Sequence, residues 1–210
     1  MNSTMQRLSD RVAIVTGGAM GIGGATARRL AEEGARVLVA DVDIKVAGRN
    51  VETIRAQGGV AEAVESNVGT EAGVRAMVER AVDLWGKLDI VVNNAYAGVA
   101  GERRIDAIGV TEDAWDRGMD IGLKAMFRAA KYAVPHMRAA GGGVMVNLSS
   151  VHGLLGAPGS LVYETLKAGV IGLTRQLAVE YGPEGVRVNA ICPGHIVTCL
   201  LYTSPSPRDS

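Results

Sequence analysis

Short apolar runs alternate with amphipathic stretches along almost the whole chain. The apolar runs are bounded by turn residues and have the length of buried strands; they cover residues 11–17, 36–41, 60–68, 88–95, 143–150 and 186–191. The amphipathic stretches have helical spacing and cover residues 21–33, 43–57, 70–85, 111–140 and 160–181. The third apolar run is more polar than the others, so we expect it nearer a sheet edge. The alternation predicts an α/β fold in which a doubly wound parallel sheet lies between two layers of helices.

The two ends of the chain depart from this pattern. Residues 1–10 are polar and lack the apolar core of a signal peptide, and we expect them to form a flexible segment. Residues 199–210 contain Pro205 and Pro207 among serines and have no periodicity. They are either an ordinary disordered terminus or sequence foreign to the fold, of the kind that translated adapter read-through leaves. In the second case the natural protein continues past Thr198. We expect one domain over residues 11–198.

The composition excludes several classes of protein. The chain has 22 basic and 22 acidic residues and no net charge, whereas a general nucleic-acid binder carries a basic surface. No apolar run reaches the roughly 18 residues that a membrane-spanning helix needs. The two cysteines, Cys192 and Cys199, have no secretory signal before them, so we expect reduced thiols and a cytoplasmic protein. No Cys/His cluster has zinc-site spacing, and we expect no metal. Neither nucleic acid nor membrane is a predicted partner.

A glycine-rich loop joins the first predicted strand to the first predicted helix. Gly17, Gly21 and Gly23 have the spacing G-x-x-x-G-x-G, which lets the backbone approach a pyrophosphate at a helix N-terminus. Alone, the loop is a weak signal, and a tight turn is the alternative. Its context is more specific, because Asp41 ends the second strand 18 residues after Gly23. A carboxylate there accepts the ribose hydroxyls of adenosine and repels a 2′-phosphate, which favours NAD over NADP in a Rossmann-type domain. The alternative is a strand-end turn carboxylate.

A second group of residues has the chemistry of proton transfer. Tyr163 and Lys167 are four apart in a helical pattern and therefore lie on one face. A tyrosine hydroxyl titrates near pH 10, and a neighbouring ammonium favours the phenolate and lowers that value. Ser150 ends the fifth strand, where its hydroxyl reaches the crevice at the strand C-termini. A Tyr-x-x-x-Lys pair by itself occurs by chance in many helices.

Together these motifs resemble the short-chain dehydrogenase/reductase family. The loop and Asp41 are followed in order by Asn93-Asn94-Ala95, Ser150, Tyr163, Lys167 and Pro193-Gly194, and the resemblance covers roughly residues 10–198. It implies a seven-stranded sheet, of which six strands are present here. It also implies an NAD-dependent oxidoreductase that interconverts a secondary alcohol and its ketone. In that family Tyr163 would be the general acid or base, Lys167 would lower its pKa and bind the nicotinamide ribose, and Ser150 would polarise the substrate oxygen.

The resemblance extends the predicted cofactor site beyond the two motifs. Asn94 would lie against the adenosine-side ribose, and Asn67 would accept a hydrogen bond from the adenine amine. The full predicted set is Gly17, Met20, Gly21, Ile22, Gly23, Asp41, Val42, Asn67, Val68, Asn94, Ala95, Tyr163, Lys167, Pro193, Gly194, Ile196 and Thr198. The expected partner is a small alcohol or ketone. Homo-oligomers are common in the family, although a tetramer is doubtful for a chain that lacks the seventh strand.

The chain departs from the family pattern at two positions. Gly122 stands in the long helix where the family often has an asparagine that holds a water in a proton relay, so we expect a local kink and a slower relay. Tyr96 stands where glycine is usual, and packing under the next loop is favoured over a role in the pocket wall. His152 and His195 fall near the predicted site, where a structural role is favoured for each. Two functions other than catalysis remain open: an NAD-binding module without turnover, and an inactive truncated fragment.

Overall fold

The sheet and its helices are described by a computed structural model that covers residues 6–96 and 106–196. The strands in these ranges are β1 (Val12–Thr16), β2 (Arg36–Asp41), β3 (Val60–Glu65), β4 (Ile90–Asn93), β5 (Gly143–Leu148) and β6 (Val186–Ile191). The α-helices there are α1 (Gly21–Glu32), α2 (Ile44–Ala56), α3 (Glu71–Trp85), α4 (Glu112–Met119), α5 (Ala125–Ala139) and α6 (Leu161–Tyr181). Thr198 and the predicted foreign tail lie outside the described residues.

All six strands form one parallel sheet in the order β3-β2-β1-β4-β5-β6. Val12 pairs with Arg36 of β2 on one side of β1, and Ala13 pairs with Ile90 of β4 on the other. The chain leaves β1 in one direction to β2 and later returns to the opposite side of β1 at β4. This change of direction opens a crevice between the carboxyl ends of β1 and β4. The predicted edge position of β3 is confirmed.

Two apolar cores hold helices on both faces of the sheet. On one face β1 contributes Ile14, and α3, α5 and α6 contribute residues such as Met77, Met137 and Leu177. On the other face Val15 and its neighbours pack against alanines and valines of α1 and α2. Each apolar strand residue is covered on its own side, which explains why these strands are continuous hydrophobic runs. The predicted three-layer αβα fold of Rossmann type is therefore confirmed.

Two elements end earlier than their apolar patterns predict. β3 ends at Glu65 rather than at residue 68, because the main chain turns there and Asn67 accepts from the Gly69 and Thr70 N–H groups. β4 ends at Asn93, because the next two N–H groups donate to the Thr16 hydroxyl instead of continuing the ladder. Both departures occur at the carboxyl edge of the sheet. They turn polar groups toward the crevice.

The segment predicted as one helix over residues 111–140 is interrupted. α4 and α5 are separated by a π-helical turn over Asp120–Lys124, with Gly122 buried at its centre. A π turn inserts one extra residue into the helical hydrogen-bond pattern and is common at functional sites. The sequence analysis expected a kink at this position, although the 3.6-residue period continues on either side.

The described part of the N-terminal segment contacts the rest of the fold. Leu8 N–H donates to the Glu33 carbonyl at 2.8 Å. The Arg7 guanidinium donates to both carboxylate oxygens of Glu33, at 2.6 and 3.0 Å, and these bonds lower the pKa of Glu33 to about 2. Residues 6–10 are thus tied to the end of α1. Among the described residues no helix has the length and apolar character needed to cross a membrane.

Candidate active site

A cavity of about 510 Å³ lies at the carboxyl edge of the sheet. It is lined by sixteen of the seventeen predicted site residues that fall within the described ranges, counting Ser150: Gly17, Met20, Gly21, Ile22, Asp41, Val42, Asn67, Val68, Asn94, Ala95, Ser150, Tyr163, Lys167, Pro193, Gly194 and Ile196. The remaining one, Gly23, lies beneath the glycine-rich loop. Thr198 falls outside the described residues. The predicted groups are therefore brought together in one cavity.

The glycine-rich loop is held against the β4 end by contacts that leave no room for side chains. Gly17 has a φ of +61°, and a Cβ there would lie 2.9 Å from the Ala95 Cα. A Cβ on Gly23 would lie 2.2 Å from the Gly17 carbonyl oxygen and 2.4 Å from the Asn94 amide nitrogen. Both positions therefore require glycine for close packing, in addition to any approach of a ligand.

Two side-chain amides, of the half-buried Asn94 and the buried Asn50, brace the loop from opposite sides. Asn94 Nδ2 donates to the carbonyls of Thr16 and Gly17 at 3.0 and 3.1 Å. Asn50 Nδ2, from α2, donates to the Gly18 and Gly24 carbonyls at 2.7 and 3.3 Å. The Asn50 carbonyl in turn accepts from Arg28 at 2.7 Å. The sequence analysis did not identify Asn50. Its only signal was a polar residue on the buried face of an amphipathic helix.

The N-terminus of α1 opens on the cavity without a side-chain cap. Met20 precedes the helix and provides no capping hydrogen bond, and the first turn of α1 contains no acidic residue. By contrast, α2, α3 and α4 are capped by the side chains of Asp43, Thr70 and Thr111. Uncapped N–H groups at a helix N-terminus, with the positive end of the helix dipole, favour a bound anion.

Asp41 is fixed at the other side of the loop by two main-chain donors. Ala19 N–H donates to Oδ2 at 3.1 Å and Asp43 N–H donates to Oδ1 at 3.2 Å. The cavity lining next to it also includes Asp43 and, among the described residues, no arginine. Asn67 lines the same end, where its side-chain oxygen accepts from Gly69 N–H at 3.0 Å. This end of the cavity is therefore acidic and rich in hydrogen-bond acceptors.

Lys167 lies at the opposite end of the cavity, buried with 4 % of its surface exposed. Its ammonium donates to the Leu148 carbonyl at 2.6 Å and lies 5.7 Å from the centre of the Tyr163 ring. Burial lowers the pKa of Lys167 to about 8. Desolvation disfavours the charged form, so the ammonium is held at an energetic cost next to the phenol.

Tyr163 is fixed edge-on between two other rings. The Tyr96 and His152 ring centres lie 5.1 and 5.8 Å from that of Tyr163. His152 is in turn anchored, because its Nδ1 lies 2.9 Å from Glu164 and its N–H donates to the Ser150 hydroxyl at 3.2 Å. The hydrogen bond from His152 is the main cause of the lowered pKa of Glu164.

Ser149 secures the helix that carries Lys167, although the sequence analysis did not identify it. Its hydroxyl donates to the Lys167 carbonyl at 2.7 Å. Gly153 lies against the same contact, since a Cβ there would be 2.7 Å from both the Lys167 carbonyl oxygen and the Ser149 hydroxyl. The end of β5, next to Ser150, is therefore held against α6 at Lys167.

Comparison with known proteins identifies the family of this chain. A family model described as enoyl-(acyl carrier protein) reductase matches residues 17–209. The chain is 39% identical over 199 residues to a cyclohexanol dehydrogenase of Acinetobacter sp. (strain SE19), covering 93% of this chain and 76% of that protein. It is 41% identical over 201 residues to a cis-4-hydroxycyclohexanecarboxylate dehydrogenase of Sinomonas cyclohexanicum, covering 96% and 79%. The chain belongs to the short-chain dehydrogenase/reductase family.

Solved structures of this family share the fold closely. The crystal structure of levodione reductase superposes with a TM-score of 0.88 at 35% identity, over 94% of this chain and 76% of that one. A putative short-chain alcohol dehydrogenase from Sinorhizobium meliloti 1021 superposes with a TM-score of 0.87, also at 35% identity, over 94% and 77%. As a short-chain dehydrogenase/reductase, the chain is an oxidoreductase that acts on CH–OH groups.

The structure also shows where the aromatic and histidine side chains singled out in the sequence lie relative to the cavity. Tyr96 lines the cavity, so the alternative of a pocket-wall residue holds. His195 also lines the cavity, whereas His152 has the structural contacts expected of it. In residues 6–96 and 106–196 no cluster of three or more His, Cys, Asp or Glu side chains has metal-site geometry.

Proposed function

We propose that this short-chain dehydrogenase/reductase uses NAD to interconvert a secondary alcohol and its ketone. The observation that carries the proposal is that Tyr163 and Lys167 line one end of a cavity whose other end is lined by Asp41. The distance between these ends is bridged by the glycine-rich loop and the uncapped start of α1. This arrangement matches a dinucleotide with its pyrophosphate at the helix N-terminus.

The residues present fit the cofactor at three points. The loop glycines and the uncapped α1 N-terminus offer main-chain N–H groups to the pyrophosphate, with no carboxylate in the first turn to repel it. The Asp41 carboxylate is oriented by Ala19 N–H to accept ribose hydroxyls. Lys167 keeps donors beyond its bond to Leu148 for the second ribose. When bound, the nicotinamide supplies or accepts the hydride.

The roles of the three polar residues follow from their positions. Ser150 donates its hydroxyl hydrogen to the substrate oxygen and fixes the orientation of the reacting carbon. Tyr163 gives its phenolic proton to that oxygen during ketone reduction and takes it back during alcohol oxidation. The Lys167 ammonium stabilises the phenolate that remains. Its effect is strengthened by the burial of Lys167, because a buried charge acts through a lower effective dielectric.

The substrate class is suggested by the relatives and by the cavity. Two relatives are named for cyclohexanol and for a hydroxycyclohexanecarboxylate. The cavity wall beside Tyr163 includes the aromatic ring of Tyr96, which suits an alicyclic ring. We therefore propose a small cyclic secondary alcohol as the substrate.

The test is NADH formation at 340 nm with a panel of cyclic and open-chain secondary alcohols. We expect turnover with at least one cyclic alcohol, and a loss of about 100-fold or more in Tyr163→Phe. Thermal stabilisation by NAD should be unchanged in that variant, because the phenol hydroxyl contributes little to dinucleotide affinity. If NAD stabilises the protein but no alcohol in the panel reduces NAD to NADH, the alternative of a binding module replaces this proposal.

A further inference from the structure

Gly118 of α4 and Gly122 of the π turn face two branched side chains of α6. A Cβ on Gly118 would lie 2.4 Å from Val162 Cγ1. A Cβ on Gly122 would lie 2.7 and 2.8 Å from the two terminal methyl groups of Leu166. The glycines are four residues apart, as are the branched residues, so each pair occupies one helical face. Glycine at both positions lets the two backbones approach closely.

In a second contact of this kind the glycine lies on α6 and the leucine lies in the π turn. Leu123, from the π turn, points at α6, where a Cβ on Gly169 would lie 2.8 Å from its Cδ2. Leu166 is fully buried and Gly122 is buried at the centre of the turn. A single added methyl group therefore has to displace backbone or a buried leucine.

This contact lies directly behind the residues of the proposed reaction. Leu166 precedes Lys167 in α6, and Val162 precedes Tyr163. On the other side of the contact, Ile121 precedes Gly122 and lines the cavity. A displacement of Leu166 is transmitted to Lys167 through one peptide unit, while the Lys167 ammonium is held by the Leu148 carbonyl.

We propose that Gly122 and Leu166 form a steric pair that positions Lys167 and Tyr163 for the reaction. Both are positioning residues, since neither is proposed to touch cofactor or substrate. The activity measurements rest on the proposed function, whereas the steric coupling does not. The pair also implies that Gly122→Asn does not restore the relay by itself, because an asparagine there collides with Leu166.

The experiment is a double-mutant cycle of Gly122→Ala, Leu166→Ala and the double variant. We expect Gly122→Ala to lower kcat about 10- to 100-fold, since small misplacements of reacting groups have effects of that size, while KM for NAD stays within about twofold. The double variant should exceed both single variants in kcat, because the methyl group added at position 122 occupies part of the volume that Leu166→Ala vacates. Gly172→Ala is the matched control: Gly172 lies in α6 as well, a Cβ added there would have no neighbour within 4 Å, and kcat should be unchanged.

Each outcome decides the proposal. A wild-type kcat in Gly122→Ala, or a double variant slower than Leu166→Ala, overturns it. If Gly122→Ala does not fold, the comparison of the double variant with Leu166→Ala carries the test alone. If the wild type reduces NAD with no alcohol, the proposed function fails, and the unfolding free energies of the four proteins are compared instead. A double variant that loses less stability than the sum of the two single variants supports the steric pair, and additive losses overturn it.

Discussion

At the scale of single residues, the most informative group is the buried ammonium of Lys167. Folding removes it from water and gives it one carbonyl partner, and its pKa falls to about 8. In the unfolded chain a lysine titrates near 10.4, so the unfolded state binds more protons between these two values. The charged lysine thus lowers stability at neutral pH. Stability is recovered as pH rises through this window.

We therefore expect Lys167→Met to be inactive but more stable than the wild type. Removing the buried charge recovers about 3 kcal/mol, and leaving the Leu148 carbonyl unpaired costs about 1–3 kcal/mol, so a gain of about 1 kcal/mol at pH 7 is expected. Urea unfolding of the cofactor-free proteins at pH 7 and pH 10 measures the difference. The gain should shrink at pH 10. A variant less stable than the wild type at pH 7 would contradict the assignment of the low pKa to burial.

Asp41 provides a prediction about cofactor preference. Asp41→Asn keeps an oxygen that can accept from Ala19 N–H but removes the charge that repels a 2′-phosphate. The ratio of kcat/KM for NADP to that for NAD should rise about tenfold or more, since this is the size of effect expected from one unpaired charge at close range. Asp43→Asn is the control, because its carboxylate caps α2 through Val46 N–H. If the ratio changed equally in both variants, the cofactor preference would come from the overall negative charge at this end of the cavity rather than from Asp41.

The residues identified from sequence alone are those whose chemistry is fixed by spacing along the chain. Tyr163 and Lys167 are four apart on one helix, and the loop glycines are adjacent to the strand that precedes them. Asn50 and Leu166 were not identified, because their importance depends on which helices meet. No local pattern distinguishes a leucine that fills the space beside a glycine from any other buried leucine.

At the scale of elements, the interruption between α4 and α5 illustrates the same limit. Hydrophobic spacing continues through Asp120–Lys124, so it predicts one helix over residues 111–140. A π turn changes the register by only one residue, which lies within the tolerance of an amphipathic pattern. The glycine at its centre was visible in the sequence, but the close approach of α6 that requires it was not. The early end of β4 has a similar cause, because its competing hydrogen-bond partner, the Thr16 hydroxyl, is distant in sequence, whereas β3 ends at a local turn around Asn67.

The contact between α2 and the glycine-rich loop leads to a prediction about loop order. Asn50→Ala removes the donors to the Gly18 and Gly24 carbonyls and leaves Arg28 without its amide acceptor. We expect a loss of about 1–3 kcal/mol in unfolding free energy for the unpaired buried groups. KM for NAD should rise about tenfold while kcat at saturating NAD changes little, because the loop contacts only the cofactor in our proposal.

The control is Glu52→Ala, an exposed position two residues further along the same helix. It should leave both stability and KM for NAD unchanged, which separates loop bracing from a general weakening of α2. If Asn50→Ala loses stability but keeps its KM for NAD, the amide is a packing element only, and the loop holds its conformation without it.

At the scale of the whole molecule, the parallel sheet between two helical layers could be predicted because the sequence alternates strand and helix. The same alternation is compatible with more than one strand order, so the order β3-β2-β1-β4-β5-β6 comes from the structure. Right-handed crossovers then require helices on both faces, and the reversal of strand order fixes a crevice at the carboxyl edge. The site residues lie at that edge. At the opposite edge, where the strands begin, the contacts contribute to stability instead. Asp89 lies there, immediately before β4. Its main chain bonds to Val12 and Val144, which joins β1, β4 and β5 at their starts.

The Asp89 carboxylate adds charged contacts to this junction. It accepts from Val12 N–H at 2.9 Å and from Arg11 at 2.7 Å, and it forms an ion pair with Lys87 at 3.1 Å. Burial alone raises the pKa of Asp89, but these hydrogen bonds together outweigh burial and the pKa lies below its usual value. The resulting stabilisation is complete above the unfolded pKa of about 3.9 and is lost as pH falls through the lower folded value.

Asp89→Asn should therefore separate stability from activity. We expect it to lower the unfolding free energy by about 2 kcal/mol at pH 7, the usual contribution of hydrogen bonds to a charged group, and to leave kcat unchanged because the site lies at the opposite edge. Urea unfolding from pH 7 to pH 2.5 should show the difference from the wild type narrowing below about pH 4, because the carboxylate is protonated first in the unfolded chain and only at lower pH in the folded protein. Asp83→Asn, at an exposed position of α3, should produce no such difference. A stability difference that persists unchanged at pH 2.5 would mean that packing of the side chain, rather than its charge, joins the three strands.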